Sequence, residues 1–249
     1  MDFIHVLILS AVEGLTEFLP ISSTGHLILI SKLLGITESD FTKTFEIAIQ
    51  LGAILSIVVL YFKKFITDIE LYKKLFFAFI PTAAVGFFLY PFIKGFLLGS
   101  STITLITLFL GGFVLIFFKK ENSGSKKIGY KEAFLIGVFQ SVSIIPGVSR
   151  AAATIIGGLL VGLNRKNATE FSFLLAVPTM FAATALDIYK SSAILNSSNV
   201  PSLLTGTFFS FIFAMLAVKF LVDYVKTHDF TAFGVYRILL AALFWLFVK

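Results

Sequence analysis

Apolar runs set the layout of this chain. They fall at about residues 3–19, 45–62, 75–93, 102–118, 132–145, 151–163, 168–189, 203–225 and 230–248. Six of them (45–62, 75–93, 102–118, 168–189, 203–225 and 230–248) approach or reach the roughly 20 helical residues that cross a hydrocarbon core of about 30 Å. The others are interrupted. The first run stops at Pro20, whose ring clashes one turn back. Ser22, Ser23 and Thr24 then offer N-cap hydroxyls to a new helix from about Gly25 to Leu34. At 1.5 Å per residue that helix covers roughly 15–18 Å, too little to span. Residues 132–145 and 151–163 form a second such pair, broken at Pro146-Gly147. Each pair is expected to enter and leave on one side, with its turn shielded by protein or water. For the first run, a single spanning helix over 3–19 is the alternative.

The two interrupted pairs reveal an internal repeat. Offsetting the chain by 126 places Pro20 on Pro146, Ser23 on Ser149 and Phe45 on Phe171. Each half then reads as one re-entrant pair followed by three spanning helices, about 1–118 and 132–249. The polar loop 119–131 lies between them, inside a single membrane domain of 1–249. A re-entrant pair makes no crossing and three crossings reverse sides, so the second half is inverted. The expected fold is therefore all-α and integral to the membrane. It has six spanning helices, two re-entrant helix-turn-helix pairs and an inverted-topology repeat, an arrangement that places binding sites near the midplane.

Composition agrees with a bilayer setting. The chain is 57% hydrophobic and 14% charged, with a mean hydropathy of +0.97, against about 45–50% and 25% for soluble domains. It has no cysteine, which excludes disulfides and thiolate metal sites. The net charge of +6 is not read as nucleic-acid binding, because the basic residues lie between apolar runs and report orientation. One side carries twelve: Lys63, Lys64, Lys73, Lys74, Lys119, Lys120, Lys126, Lys127, Lys131, Arg165, Lys166 and Lys226. The other carries five: Lys32, Lys43, Lys94, Lys190 and Lys249. The twelve are expected in the cytoplasm, leaving both termini and the first re-entrant pair facing outward. No basic n-region or A-x-A site opens the chain, so no cleaved signal peptide is expected.

Two polar islands interrupt the apolar background. The first is E-G-L-T-E-F-L-P-I-S-S-T-G-H, residues 13–26, and the second is P-G-V-S-R, residues 146–150. Polar groups at membrane depth are costly and mark functional sites by default. Glu13 and Glu17 share a helix face, and two bare carboxylates there call for a shared proton, a divalent cation or a nearby arginine. Ser22, Ser23 and Thr24 are either plain N-caps or anion ligands at a positive helix end. His26 is near enough to reach one of those hydroxyls, the minimal arrangement for an activated nucleophile. Arg150 suits a phosphate bidentately, with Gly147, Ser149 and Thr154 adding donors; a structural pair with Glu13 or Glu17 is the alternative. Glu46 and Gln50 are taken as neighbours of the site, Glu170 as a loop residue, and Arg237 as a snorkelling arginine of the last helix.

At these islands the chain resembles the bacitracin-resistance family of undecaprenyl-diphosphatases. F-E-I-A-I-Q-L-G and E-F-S-F-L-L-A-V-P also fit, and the likeness covers essentially the whole chain. The resemblance implies an integral membrane hydrolase of the bacterial inner membrane. Its reaction removes the terminal phosphate of a C55 isoprenoid diphosphate and so recycles the lipid carrier for cell-wall synthesis. It implies roles for Glu13, Glu17, Ser22, Ser23, His26, Ser149, Arg150 and Thr154, and a divalent cation, Mg²⁺ or Ca²⁺. The family commonly continues Ser-Arg-Ser-Gly, whereas Arg150 is here followed by Ala151-Ala152, so the missing hydroxyl is not essential.

The expected mechanism has Ser23 attack the terminal phosphorus with His26 as general base or acid. Arg150 and the helix starts neutralise charge, while Glu17, with Glu13, holds a cation or polarises the serine–histidine pair. Ser22, Thr24, Gly147, Ser149 and Thr154 bind the phosphates. Attack by His26 or by water stays open. The site is expected to open to the periplasmic side. The expected partners are the polyprenyl diphosphate and the bilayer, with no nucleic acid; the number of subunits is open, a homodimer among the options. A transporter or flippase of an anionic lipid is the rival reading, since inverted repeats around a midplane anion site also suit transport.

Overall fold

The computed structural model describes residues 1–37, 39–89, 100–118, 126–191 and 199–247, the side chains of 40, 186–191 and 247 excepted. No strand occurs among them. The helices are α1 (Phe3–Thr16), α2 (Ser23–Leu33), α3 (Asp40–Leu60), α4 (Phe62–Thr67), α5 (Ile69–Phe88), α6 (Ser101–Phe117), α7 (Tyr130–Ser141), α8 (Arg150–Leu160), α9 (Arg165–Ser191), α10 (Val200–Thr227) and α11 (Thr231–Phe247). A 3-10 turn, Val142–Ile144, follows α7. Of the sequence expectations, the end of the 75–93 run, Lys94, residues 119–125 of the polar loop, and Lys249 lie outside the described residues.

Four helical stretches are long and apolar enough to cross a membrane: Phe41–Leu60, Ile69–Phe88, Arg165–Ala185 and Val200–Thr227. Their outer faces carry large apolar side chains, as do those of the shorter helices; Phe87 and Phe88 are each 78% exposed and Leu246 75%. A surface of this kind is sheltered in lipid, and the chain is a multi-pass membrane protein.

Local signals place the helix ends. α1 stops at Thr16, the residue whose carbonyl the Pro20 ring would strike. α3 starts earlier than its apolar run because Ser39 caps it, accepting from the Thr42 amide at 3.1 Å. α5 likewise starts at Ile69 because Asp68 accepts from the Leu71 amide at 3.0 Å. Lys73 and Lys74 therefore belong to a helix, and the short α4 occupies much of the stretch between the apolar runs 45–62 and 75–93.

The tightest helix pairings are α3 with α10, α1 with α10, α6 with α11, α5 with α7, and α8 with α9. The largest apolar core joins Phe18, Ala151, Phe173 and Leu221. Two smaller cores clasp α2, one through Leu27 with Leu9 and Phe45, the other through Leu29 with Leu108 and Phe244. Charges gather at one end of the bundle. There Lys64 meets Glu170 at 2.5 Å, Lys73 meets Glu70 at 2.5 Å, and Tyr130 donates to Glu70 at 2.6 Å. Lys126 meets Glu132 at 2.7 Å and holds that carboxyl below its usual range.

Candidate active site

The two helix breaks share one local geometry. Ser22 (φ 71°) and Ser149 (φ 76°) are the non-glycine residues with positive φ among those described. Each is an N-cap: Ser22 Oγ accepts from the Gly25 amide at 3.3 Å, and Ser149 Oγ from the Ala152 amide at 3.1 Å. The left-handed conformation costs an L-residue roughly 1–2 kcal/mol. The caps stand at 22 and 149, 127 apart, so the register of the breaks is one residue off the 126 offset read from the prolines. The first residues of the two helices are consequently Ser23 and Arg150, and both point to Glu17.

Glu17 joins the breaks. Its Oε2 accepts from the Ser23 hydroxyl, and its Oε1 accepts from Arg150 Nη2 at 3.1 Å. The Glu17 and Arg150 side chains are 6% and 11% exposed, so the pair is largely shielded from solvent screening. Arg150 Nη1 donates to the Ser172 carbonyl at 3.0 Å, and the guanidinium sits over the Phe18 ring, 5.7 Å from its centroid. Its Nε is buried with no acceptor. A cavity of about 260 Å³ opens onto this group. Ser22, Thr24, Gly147 and Ser149 also line it, as does Gln50 from α3, while Met180 and Ala183 of α9 form an apolar edge. By helix geometry the first amides of α2 and α8 have no intrahelical acceptor and carry partial positive charge.

Three expected residues sit differently. His26 makes no hydrogen bond to a site hydroxyl: Nδ1 lies 2.7 Å from the Ser22 carbonyl and Nε2 2.7 Å from the Tyr236 hydroxyl. Thr154 does not line the cavity; its hydroxyl bonds the Arg150 carbonyl at 2.8 Å and Ser172 Oγ at 2.6 Å. Glu13 lies beside Glu17, fully buried, with no donor group at either carboxylate oxygen, and the two carboxyls approach closely enough to share a proton. Glu17 and Glu46 are the carboxylates bearing on it. Glu170 belongs to the charged end, with Lys64 and Lys166.

Arg237 requires a correction. It does not snorkel but is wholly buried. Nε donates to Leu108 O at 3.2 Å; Nη1 to Pro20 O at 3.2 Å and Val148 O at 3.0 Å; Nη2 to Thr107 O at 3.1 Å and Gly147 O at 2.7 Å. One guanidinium thus fastens both breaks to α6. The sequence signal for this role is its position, an arginine inside the apolar run 230–248, where a charge is as costly as at Arg150.

Gly147 has φ 86°, and a Cβ there would run into Thr107 Oγ1 and the Thr104 carbonyl. Gly147→Ala is therefore expected to destabilise the protein by about 1–3 kcal/mol and to lower activity. Thermal unfolding in detergent, run beside the turnover assay, measures both.

Comparison with known proteins places the chain. Residues 6–243 match the family model described as bacitracin resistance protein BacA. The undecaprenyl-diphosphatase of Persephonella marina is 54% identical over 255 aligned positions, covering 100% of both chains. Those of Aquifex aeolicus and Wolinella succinogenes are each 51% identical, covering 98% of this chain and 98% and 97% of theirs. With the model match spanning nearly its full length and relatives of this identity aligned end to end, the chain belongs to the bacitracin resistance protein BacA family.

Proposed function

We propose that the chain hydrolyses undecaprenyl diphosphate to undecaprenyl phosphate and inorganic phosphate, using the site bridged by Glu17. The carrying observation is that one buried carboxylate holds the Ser23 hydroxyl and the Arg150 guanidinium together. The terminal phosphate enters the cavity and takes Arg150 Nε, which lacks an acceptor, together with the amides at the starts of α2 and α8. Ser23 Oγ attacks the terminal phosphorus and its proton passes to Glu17. The bond to the bridging oxygen breaks, and undecaprenyl phosphate departs with that proton. Glu17 then takes a proton from water, the resulting hydroxide attacks the phosphoserine, and the proton returns to the serine oxygen as inorganic phosphate leaves. Arg150 and the helix ends neutralise the equatorial charge throughout. In this reading Glu17 replaces His26 as the base, because the imidazole is engaged elsewhere.

The residues fit a hard divalent cation. Glu13 presents two buried carboxylate oxygens without a donor, and oxygen is the donor that Mg²⁺ and Ca²⁺ prefer. Among the described residues no three His, Asp or Glu side chains gather in one place. Glu13 and Glu17 would therefore hold the ion with help from water or phosphate oxygens. Bound there, it supplies charge neutralisation to the diphosphate.

The remaining architecture follows the same reading. α6 and α11, of 17 residues each and so about 25 Å long, complete six spans. The α1–α2 and α7–α8 pairs are re-entrant, and the halves are inverted repeats. The charged end lies in the cytoplasm of a bacterial inner membrane, and the cavity opens to the periplasm. Purified protein should release phosphate from a polyprenyl diphosphate, and Ser23→Ala should lower that rate by orders of magnitude. Near-normal release by Ser23→Ala would discard the serine nucleophile in favour of water. Absence of release from the unmodified protein, with lipid moving between leaflets, would favour a transporter.

A further inference from the structure

The contacts of His26 fix its tautomer. The Ser22 carbonyl can only accept, so the nitrogen 2.7 Å away, Nδ1, carries the proton. In the neutral ring Nε2 is then bare, and the partner at 2.7 Å, the Tyr236 hydroxyl, donates to it. A doubly protonated ring would set a second buried cation near Arg237, with neither nitrogen facing a carboxylate. The two rings are parallel, with an interplanar angle of 1°.

We infer that Tyr236 is a positioning residue for the reaction: its hydroxyl, donating to Nε2, holds the His26 ring in place, and His26 in turn pins the Ser22–Ser23 peptide through Nδ1–H. Ser22 is where such support is needed. It is held at φ 71°, its carbonyl accepts from both the His26 amide (3.1 Å) and the His26 ring, and the next residue is Ser23. A rotated peptide plane would swing the Ser23 amide and hydroxyl away from the phosphate. α11 anchors the whole chain of bonds, because the residue after Tyr236 is Arg237, bonded to the carbonyls of Pro20, Gly147 and Val148. The last helix therefore sets the orientation of the His26 ring and the position of both breaks at once.

The inference rests on Ser23 as the attacking group, but its first test does not. Tyr236→Phe removes one hydroxyl from a ring that is 42% exposed, so the fold should tolerate it. The full-length protein, labelled with ¹⁵N-histidine, contains three histidines, and two-bond ¹H–¹⁵N correlations separate the tautomers. The unmodified protein should show His26 as Nδ1–H with Nε2 accepting a hydrogen bond, and Tyr236→Phe should keep that tautomer but move the Nε2 resonance downfield, to that of an unbonded lone pair. In turnover, loss of a hydrogen bond of this kind should lower kcat about tenfold with KM unchanged. On a His26→Gln background Tyr236→Phe should cost nothing further. An unmoved Nε2 resonance in Tyr236→Phe, wild-type kcat, or additive losses in the double variant would each overturn the role of Tyr236. Full activity in Ser23→Ala would sink the nucleophile instead, leaving the Nε2 result standing.

Discussion

Glu17→Gln is expected to lower kcat for phosphate release by about 10²–10⁴-fold, the range of a lost general base, while KM stays level or falls. The amide keeps the size of the carboxyl and one acceptor oxygen, so Ser23 and Arg150 keep their places against it. What disappears is the group that takes the serine proton. Arg150, no longer neutralised by a carboxylate, is also more available to a phosphate, which is why substrate binding should not suffer. The split between kcat and KM separates this from a purely structural role. If Glu17 did nothing but anchor Arg150, the amide, which keeps that contact, would leave kcat near that of the unmodified protein. Measuring both constants with a detergent-solubilised polyprenyl diphosphate decides between them.

The helix breaks were readable from sequence because proline and glycine act on the backbone locally, whatever surrounds them. Pro20 ends α1 one turn ahead of itself, and Pro146-Gly147 separates α7 from α8. The register of the caps was not readable. Ser22, Ser23 and Thr24 all carry a hydroxyl fit to cap a helix, and only the backbone angle singles out Ser22. That one-residue difference matters, because it frees Ser23 to turn toward Glu17 and puts Arg150 at the matching place in the second half.

Side-chain direction explains the other departures. His26 stands in the first turn of α2, where side chains lean back toward the N-terminus. It therefore covers the carbonyl of residue 22, four positions earlier, rather than a hydroxyl beside it. Thr154 is four residues past Arg150, and its hydroxyl takes the carbonyl of that residue, a common local alternative for threonine in helices. Both outcomes follow from helix geometry applied to the sequence spacing. The contacts of Arg237 do not. Its acceptors are backbone carbonyls of residues 20, 107, 108, 147 and 148. A carbonyl has the same identity at every position, so nothing in the sequence names the partner. Only tertiary packing, of α11 on α6 and of the two breaks beside them, brings them within reach.

Arg237→Gln should therefore be the most destabilising single change, costing about 3–5 kcal/mol, the range for breaking a buried charged network, and should abolish turnover with it. Glutamine is shorter and offers two donors where Pro20, Gly147 and Val148 O wait outside any helix, so at least one of these break carbonyls is left buried without a partner, while Thr107 O and Leu108 O keep their helical amides. Lysine keeps the charge but reaches as a single point with three donors, so Arg237→Lys should fall between the two in apparent melting temperature. A general loss of packing would predict the same order, so a coupling measurement is needed. Gly147 O accepts from Arg237 Nη2 at 2.7 Å, and Gly147→Ala displaces that carbonyl. If the arginine acts by fastening the second break, the two changes share one interaction, and the double variant should lose less than the sum of the singles by about 0.5–3 kcal/mol. The effect on Ser23 should travel the same route through Pro20, even though Arg237 touches neither Ser23 nor Glu17. Fully additive losses in melting and in turnover would mean that the arginine supports the bundle at large and that each break keeps its shape without it.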